Sequence, residues 1–164
     1  MSFVIRILFQ LLSLLPFAFF HALGSVAAFL LQHVVKYRRA LIEQNIKQVM
    51  PTISETELQK IIKAFYRNFA DTFTESIKML TLSQATLNKR CTVDLEVVNE
   101  LLAKGKSVQM MAAHQFNWEY ASQVIPPALR GPYYFVYRTI QSPAFNQLFL
   151  YLRCKRGGRA IAAE

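Results

Sequence analysis

The chain has 164 residues, with 19 Lys plus Arg against 10 Asp plus Glu, a net charge of +9. That length excludes a large multidomain machine. Apolar residues make up 53% and charged residues only 18%, below the roughly 25% charged of soluble domains, which excludes intrinsic disorder and favours contact with a membrane.

The charge is unevenly placed. Residues 1–42 carry four bases (Arg6, Lys36, Arg38, Arg39) and no acid, residues 43–119 carry nine of each, and residues 120–164 carry six bases and one acid. Two basic ends flanking a neutral middle suit an anionic surface or an anionic ligand.

Residues 7–35 contain no Asp, Glu, Lys or Arg. About 20 such residues cross a bilayer core as a helix, and the N-terminal part is apolar on every side, unlike the surface helix of a soluble domain. The stretch is predicted to be a membrane helix, with a buried core helix as the alternative. Pro16, His21 and Gly24 leave room for a kink. A cleaved signal peptide would have a shorter apolar region and a stronger charged leader. The basic cluster 36–39 follows the helix and only Arg6 precedes it, so the positive-inside rule puts the remainder in the cytoplasm. The predicted organisation is a hydrophobic anchor over residues 1–36 and an α/β domain over 37–164. His21 and His33 read as interfacial or packed residues, because no metal-ligand side chain pairs with them.

Residues 37–50 read as a short helix stopped by Pro51. Ser54 and Glu57 form a capping box, with Glu57 expected to reach the Ser54 backbone. Leu58, Ile61, Ile62, Phe65, Phe69, Phe73, Ile77 and Leu80 then recur at three- and four-residue steps, predicting one long amphipathic helix. A further helix carries Val97, Val98, Leu101 and Leu102 and stops at Gly105. Residues 107–113 are apolar and uncharged, as in a buried strand. Residues 117–125 resume a helical pattern ended by Pro126, residues 133–137 are an aromatic strand, and 143–156 a last helix. Alternating strand and helix predicts an α/β layer with parallel crossovers.

The chemistry concentrates after the first predicted strand. His114-Gln115-Phe116-Asn117-Trp118-Glu119 puts a histidine at the strand's end and a glutamate in the first turn of the next helix. Asn117 is the expected N-cap, and the helix dipole favours a carboxylate at Glu119. Such a carboxylate accepting the Nδ1 proton of His114 fixes its tautomer and leaves Nε2 as a base. This is the orienting half of a catalytic triad without a protein nucleophile, so the substrate must supply its own hydroxyl. His-x₄-Glu alone is a weak signal; its place at a strand end, where open α/β sheets bind ligands, strengthens it. Gly105-Lys106-Ser107 imitates a P-loop ending but has Glu100 where that motif needs Gly. The Tyr and Arg residues of 133–138 fall short of an RNA-binding platform, so no nucleic acid is expected. Cys91 and Cys154 suit a reducing compartment.

These segments, together with Val136-Tyr137-Arg138, Arg38-Arg39, Asn45, Pro51 and the helix bearing Phe65 to Phe73, resemble the bacterial lipid A late acyltransferases, the lauroyl and myristoyl transferase group of the lysophospholipid acyltransferases. The likeness runs along the whole chain. It implies an inner-membrane enzyme facing the cytoplasm, moving a fatty acyl group from an acyl carrier protein or coenzyme A thioester to a hydroxyl of a lipid A precursor or related lipid. No metal or cofactor is implied. His114 would be the general base and Glu119 its partner. Arg138, Asn117 and Arg156 would bind substrate, Arg138 as the family's Tyr-Arg motif holding an anionic group; for Arg153 and Arg156 a solvated basic helix face is equally open. Phe116 stands where the family commonly has Gly. The family also continues beyond the point matching Glu164, implying an N-terminal portion with an incomplete sheet and an open edge. The rival reading is a membrane-anchored, non-enzymatic protein binding anionic lipid through its basic ends; a third is a soluble hydrolase using His114 with water.

Overall fold

A computed structural model describes residues 3–113 and 116–163. The chain divides into two compact units, one of Leu15–Glu75 and one of Met1–Leu14 with Ser76–Glu164, so residues 1–36 contribute to both.

Helix α1 (Phe3–Ser13) ends shortly before Pro16, which precedes α2 (Phe17–Phe29). Pro16 is the N-cap, extended at φ −66° and ψ 158°, and a proline disfavours helical geometry in the residue before it, which separates the two helices. In the Leu15–Glu75 unit, α2 runs without a break into a π-helical turn over Leu30–Val34. Together Phe17–Val34 are 18 residues of mean hydropathy 1.5, long and apolar enough to cross a membrane. Helix α3 (Arg39–Val49) begins after two left-handed residues, Lys36 at φ 51° and Arg38 at φ 50°.

Helix α4 (Glu55–Lys78) is the long amphipathic helix predicted from the sequence. Ser54 Oγ accepts from the Glu57 amide at 3.3 Å, and its hydroxyl donates to Glu57 Oε2 at 3.0 Å, so Glu57 meets the cap's side chain where the sequence suggested its backbone. The buried stripe is Leu58, Ile62, Tyr66 and Ala70, a strict four-residue step that meets Ala28 and Ile42 in one core. Tyr66 carries its hydroxyl into that core and donates it to the Tyr37 carbonyl at 2.8 Å, which satisfies a polar group that would otherwise be costly to bury. Ile61 and Phe73, expected on the core face, are exposed, because the stripe follows i, i+4 and leaves them at its border.

In the other unit, α5 (Gln84–Arg90) is capped by Ser83, which accepts from the Thr86 amide. Helix α6 (Glu96–Ala103) ends in a Schellman motif: Gly105 at φ 70° donates to the Leu102 carbonyl and Lys106 to that of Leu101. Asn99 on α6 donates to the Ala128 carbonyl and accepts from the Arg130 amide, tying down the exit from α7 (Glu119–Ala128). Strands β1 (Tyr133–Arg138) and β2 (Gly158–Ala163) pair in parallel, Tyr133 opposite Gly158 and Arg138 opposite Ala163. Helix α8 (Pro143–Cys154) is the crossover that parallel strands require. Leu148, Phe149 and Leu152 are its buried face. The fold is thus α/β, with an apolar N-terminal helix, a helical region and a small parallel sheet.

Three further sequence expectations change. Residues 107–113 form no strand and are mostly exposed, Met111 at 89%. Their apolar character suits a strand, but a strand also needs a ladder partner, and among the described residues β1 pairs with β2. Helix α7 runs through Pro126 and Pro127 to Ala128. Those prolines lie in its last turn, where each removes one donor yet Leu129 still closes the turn onto Ile125 at 3.2 Å. Asn117 is not the N-cap of α7. That position is Trp118, without a side-chain cap, and Asn117 stands at φ 68°, a conformation asparagine tolerates better than most residues.

Candidate active site

Helix α7 starts at Glu119, which places this carboxylate in the first turn and, at 1% exposure, inside the protein. Its partner is Arg153 in the last turn of α8. Arg153 Nε lies 2.9 Å from Glu119 Oε2 and 3.2 Å from Oε1, and Arg153 Nη2 also bonds Oε1. The two-pronged contact fixes both groups in plane, which a lysine could not do. Each charge also sits at the helix end whose dipole favours it. The Arg153 guanidinium further covers the Phe149 ring at 5.4 Å.

Next to Arg153, Gln123 is fully buried and donates to the Leu152 carbonyl at 2.7 Å, binding the middle of α7 to the end of α8. Gly158 lets β2 begin hard against that same helix end: a Cβ there would meet the Arg153 carbonyl at 2.4 Å. These contacts hold Arg153, and through it Glu119, by packing as well as charge.

The pair forms one wall of a cavity of about 560 Å³. Met110, Ala112, Trp118, Phe135, Tyr137 and Arg138 are among the other lining residues, so apolar and aromatic surface surrounds a few polar groups, the usual make-up of a site for a small or amphiphilic ligand. Tyr133 has its phenol pushed above the ordinary tyrosine range, chiefly by burial and further by Glu119, with Arg153 opposing. A second cavity of about 500 Å³ adjoins β1 and shares Met110, Tyr133, Phe135 and Val136 with the first.

Of the residues singled out in the sequence, the structure brings Glu119 and Arg138 to one cavity. His114 lies outside the described residues. Asn117 precedes the helix, its carbonyl accepting from the Tyr120 amide at 3.1 Å. Arg156 is not among the cavity's lining residues. It donates to the Leu82 carbonyl at 2.6 Å and to Gln84 Oε1 at 2.7 Å, fastening the end of α8 to the start of α5. Arg153, read from sequence as an anion holder or a solvated face, is the partner of Glu119. Its only sequence signal was a cation in the last turn of a helix; the 34-residue separation from Glu119 carries no local pattern. The described residues hold no cluster of three or more metal-ligating side chains.

A parallel β-α-β crossover with a polar-tipped, apolar cleft beside its first strand is the site type of an α/β enzyme. The family model of the bacterial lipid A biosynthesis acyltransferases matches residues 1–164, and the chain belongs to that family. Searches of curated proteins and of solved structures gave no match.

Proposed function

We propose that the protein transfers a fatty acyl group from an acyl thioester to a hydroxyl of a lipid A precursor or related membrane lipid, with His114 as general base and Glu119 as the residue that orients it. The observation that carries this reading is the burial of Glu119 in a cleft wall, five residues after His114, in a chain of the lipid A acyltransferase family.

A carboxylate has about four acceptor sites. Arg153 bonds both oxygens, and the proposed hydrogen bond from the imidazole would use one of the remaining lone pairs. In the proposed reaction the lipid hydroxyl gives its proton to His114 as its oxygen bonds to the thioester carbonyl carbon. The tetrahedral oxyanion then collapses, the carbon–sulfur bond breaks, and the thiolate leaves with the proton from His114. Glu119 steadies the imidazolium between the two steps. Arg138, at the cavity edge, is assigned an anionic group of donor or acceptor. Acyl carrier protein or coenzyme A would deliver the thioester. The Phe17–Val34 helix would anchor the protein in the bacterial inner membrane, with the basic residues after it on the cytoplasmic side.

The test is thioester-dependent acyl transfer to a lipid A precursor in membranes containing the wild type, His114→Ala or Glu119→Gln. A general base contributes typically 10²–10⁴-fold, so His114→Ala should lose about that factor. Transfer unchanged by this substitution would remove His114 from the mechanism.

A further inference from the structure

The Leu15–Glu75 unit holds a cavity of its own, of about 300 Å³, between the start of α3 and the outer side of α4. Its walls are apolar and half open: Tyr37, Leu41 and Ile61 are each more than a third exposed, with Ile42 at the base. One cation, Arg38, is among the lining residues. Its neighbour Arg39 is already matched, bonding Glu43 Oε1 at 2.5 Å and Gln59 Oε1 at 2.6 Å. Arg38 has no carboxylate partner among the described residues and lies against the Tyr37 ring at 5.6 Å. Helix α3 adds to the positive field, since its first turn contains no acid and its N-cap makes no side-chain bond. All this follows within a few residues of the apolar helix Phe17–Val34.

The geometry points to a seat for one anionic phospholipid, its phosphate against Arg38 and the α3 N-terminus and one acyl chain in the Leu41–Ile61 cavity. Charge complementarity selects the headgroup: Arg38 is the cation lining the cavity, and Glu43, the nearby acid on α3, is bound to Arg39, so the negative charge comes from the ligand. The cavity selects the source, because a free phosphate would leave the apolar walls uncovered. Its size, at the lower end for ligand pockets, fits part of one chain. This lipid is neither donor nor acceptor in the proposed reaction. Its binding is read without a thioester, so failure here and failure of the His114 assignment are separate results.

Native mass spectrometry of the full chain in detergent, titrated with phosphatidylglycerol or phosphatidylcholine of identical acyl chains, reads the site directly. The wild type should bind phosphatidylglycerol about fivefold more tightly than phosphatidylcholine, the preference expected of about one effective cation. Arg38→Asn, chosen because asparagine tolerates the left-handed backbone, should abolish the preference, and Arg38→Lys should keep it. Leu41→Trp, which fills the cavity, should weaken both lipids. If that variant fails to show wild-type helicity by circular dichroism, Ile61→Gln takes its place with the same expected result. Phosphatidylglycerol binding that survives both Arg38→Asn and the cavity substitution, or that millimolar inorganic phosphate displaces, would overturn the proposal.

Discussion

Glu119 and Arg153 come from opposite helix ends, the first turn of α7 and the last turn of α8, and meet in a bidentate ion pair with the Glu119 side chain 1% and the Arg153 side chain 18% exposed. The carboxylate has given up nearly all its water, so removing Arg153 leaves a buried charge without its ion-pair partner. Arg153→Met should therefore destabilise the fold by about 3–5 kcal/mol. Glu119→Gln, which leaves the better-solvated guanidinium behind, should cost less. Adding Glu119→Leu to Arg153→Met should recover much of the loss, since an apolar pair of similar volume avoids the desolvation penalty. Denaturant unfolding of the three variants decides this; equal stability of Arg153→Met and wild type would mean that the pair does not hold α7 to α8.

Two glycines separate backbone conformation from close approach. At Gly105, φ is 70° and an added Cβ would meet nothing, so Gly105→Ala should cost only the left-handed strain, about 1 kcal/mol. At Gly158 an added Cβ would lie 2.4 Å from the Arg153 carbonyl and 3.2 Å from Phe135, and relief requires moving the end of α8. Overpacking of this kind costs typically about 1–3 kcal/mol. Because the displaced residue is Arg153, Gly158→Ala should also reduce the proposed acyl transfer at permissive temperature, whereas Gly105→Ala should leave it intact. Parallel stability and transfer measurements test the distinction.

Elements whose determinants are local were legible in the sequence. Ser54 and Glu57, the apolar steps that follow, and the Gly105 stop each carry their signal within a turn or two, and α4 and α6 form accordingly. Strand β2 was not legible: Gly158-Arg159-Ala160-Ile161-Ala162-Ala163 contains one β-branched residue, and its pairing with β1 depends on the crossover of α8. The apolar segment 107–113 misleads in the opposite sense, since its composition signals low solvation and says nothing of a ladder. The same division runs through the site. The first-turn position of Glu119 could be read from the chain, while its bond to Arg153 depends on where α7 and α8 pack.

The two cysteines should differ in reactivity. Burial pushes the Cys91 thiol up, so at a given pH less of it is the nucleophilic thiolate, and it is also partly shielded. Cys154 is exposed. Iodoacetamide at about pH 8 should alkylate Cys154 first, and the gap should narrow as rising pH restores the Cys91 thiolate. Peptide mass spectrometry over a time course follows both sites, and faster labelling of Cys91 throughout would contradict its packing.

Tyr133 and Tyr66 give the protein an alkaline signature. Burial raises both phenols above the ordinary value near 10. Below that value the group is neutral in folded and unfolded chains alike. As pH climbs past it, the unfolded chain releases the proton while the folded chain retains it, so the unfolded state is favoured and stability falls until the folded phenol also ionises. Tyr133→Phe removes one contribution to this loss without removing the ring. Its unfolding temperature should therefore drop less than that of wild type between about pH 9 and 11, and one late-titrating tyrosinate should vanish from the ultraviolet absorbance. Tyr66→Phe should remove a separate late titration, at the added cost of the hydrogen bond to the Tyr37 carbonyl, about 1 kcal/mol. A Tyr133→Phe variant that follows the wild-type pH curve would show that the phenol is solvated, and the cleft wall beside Glu119 would then be open to water.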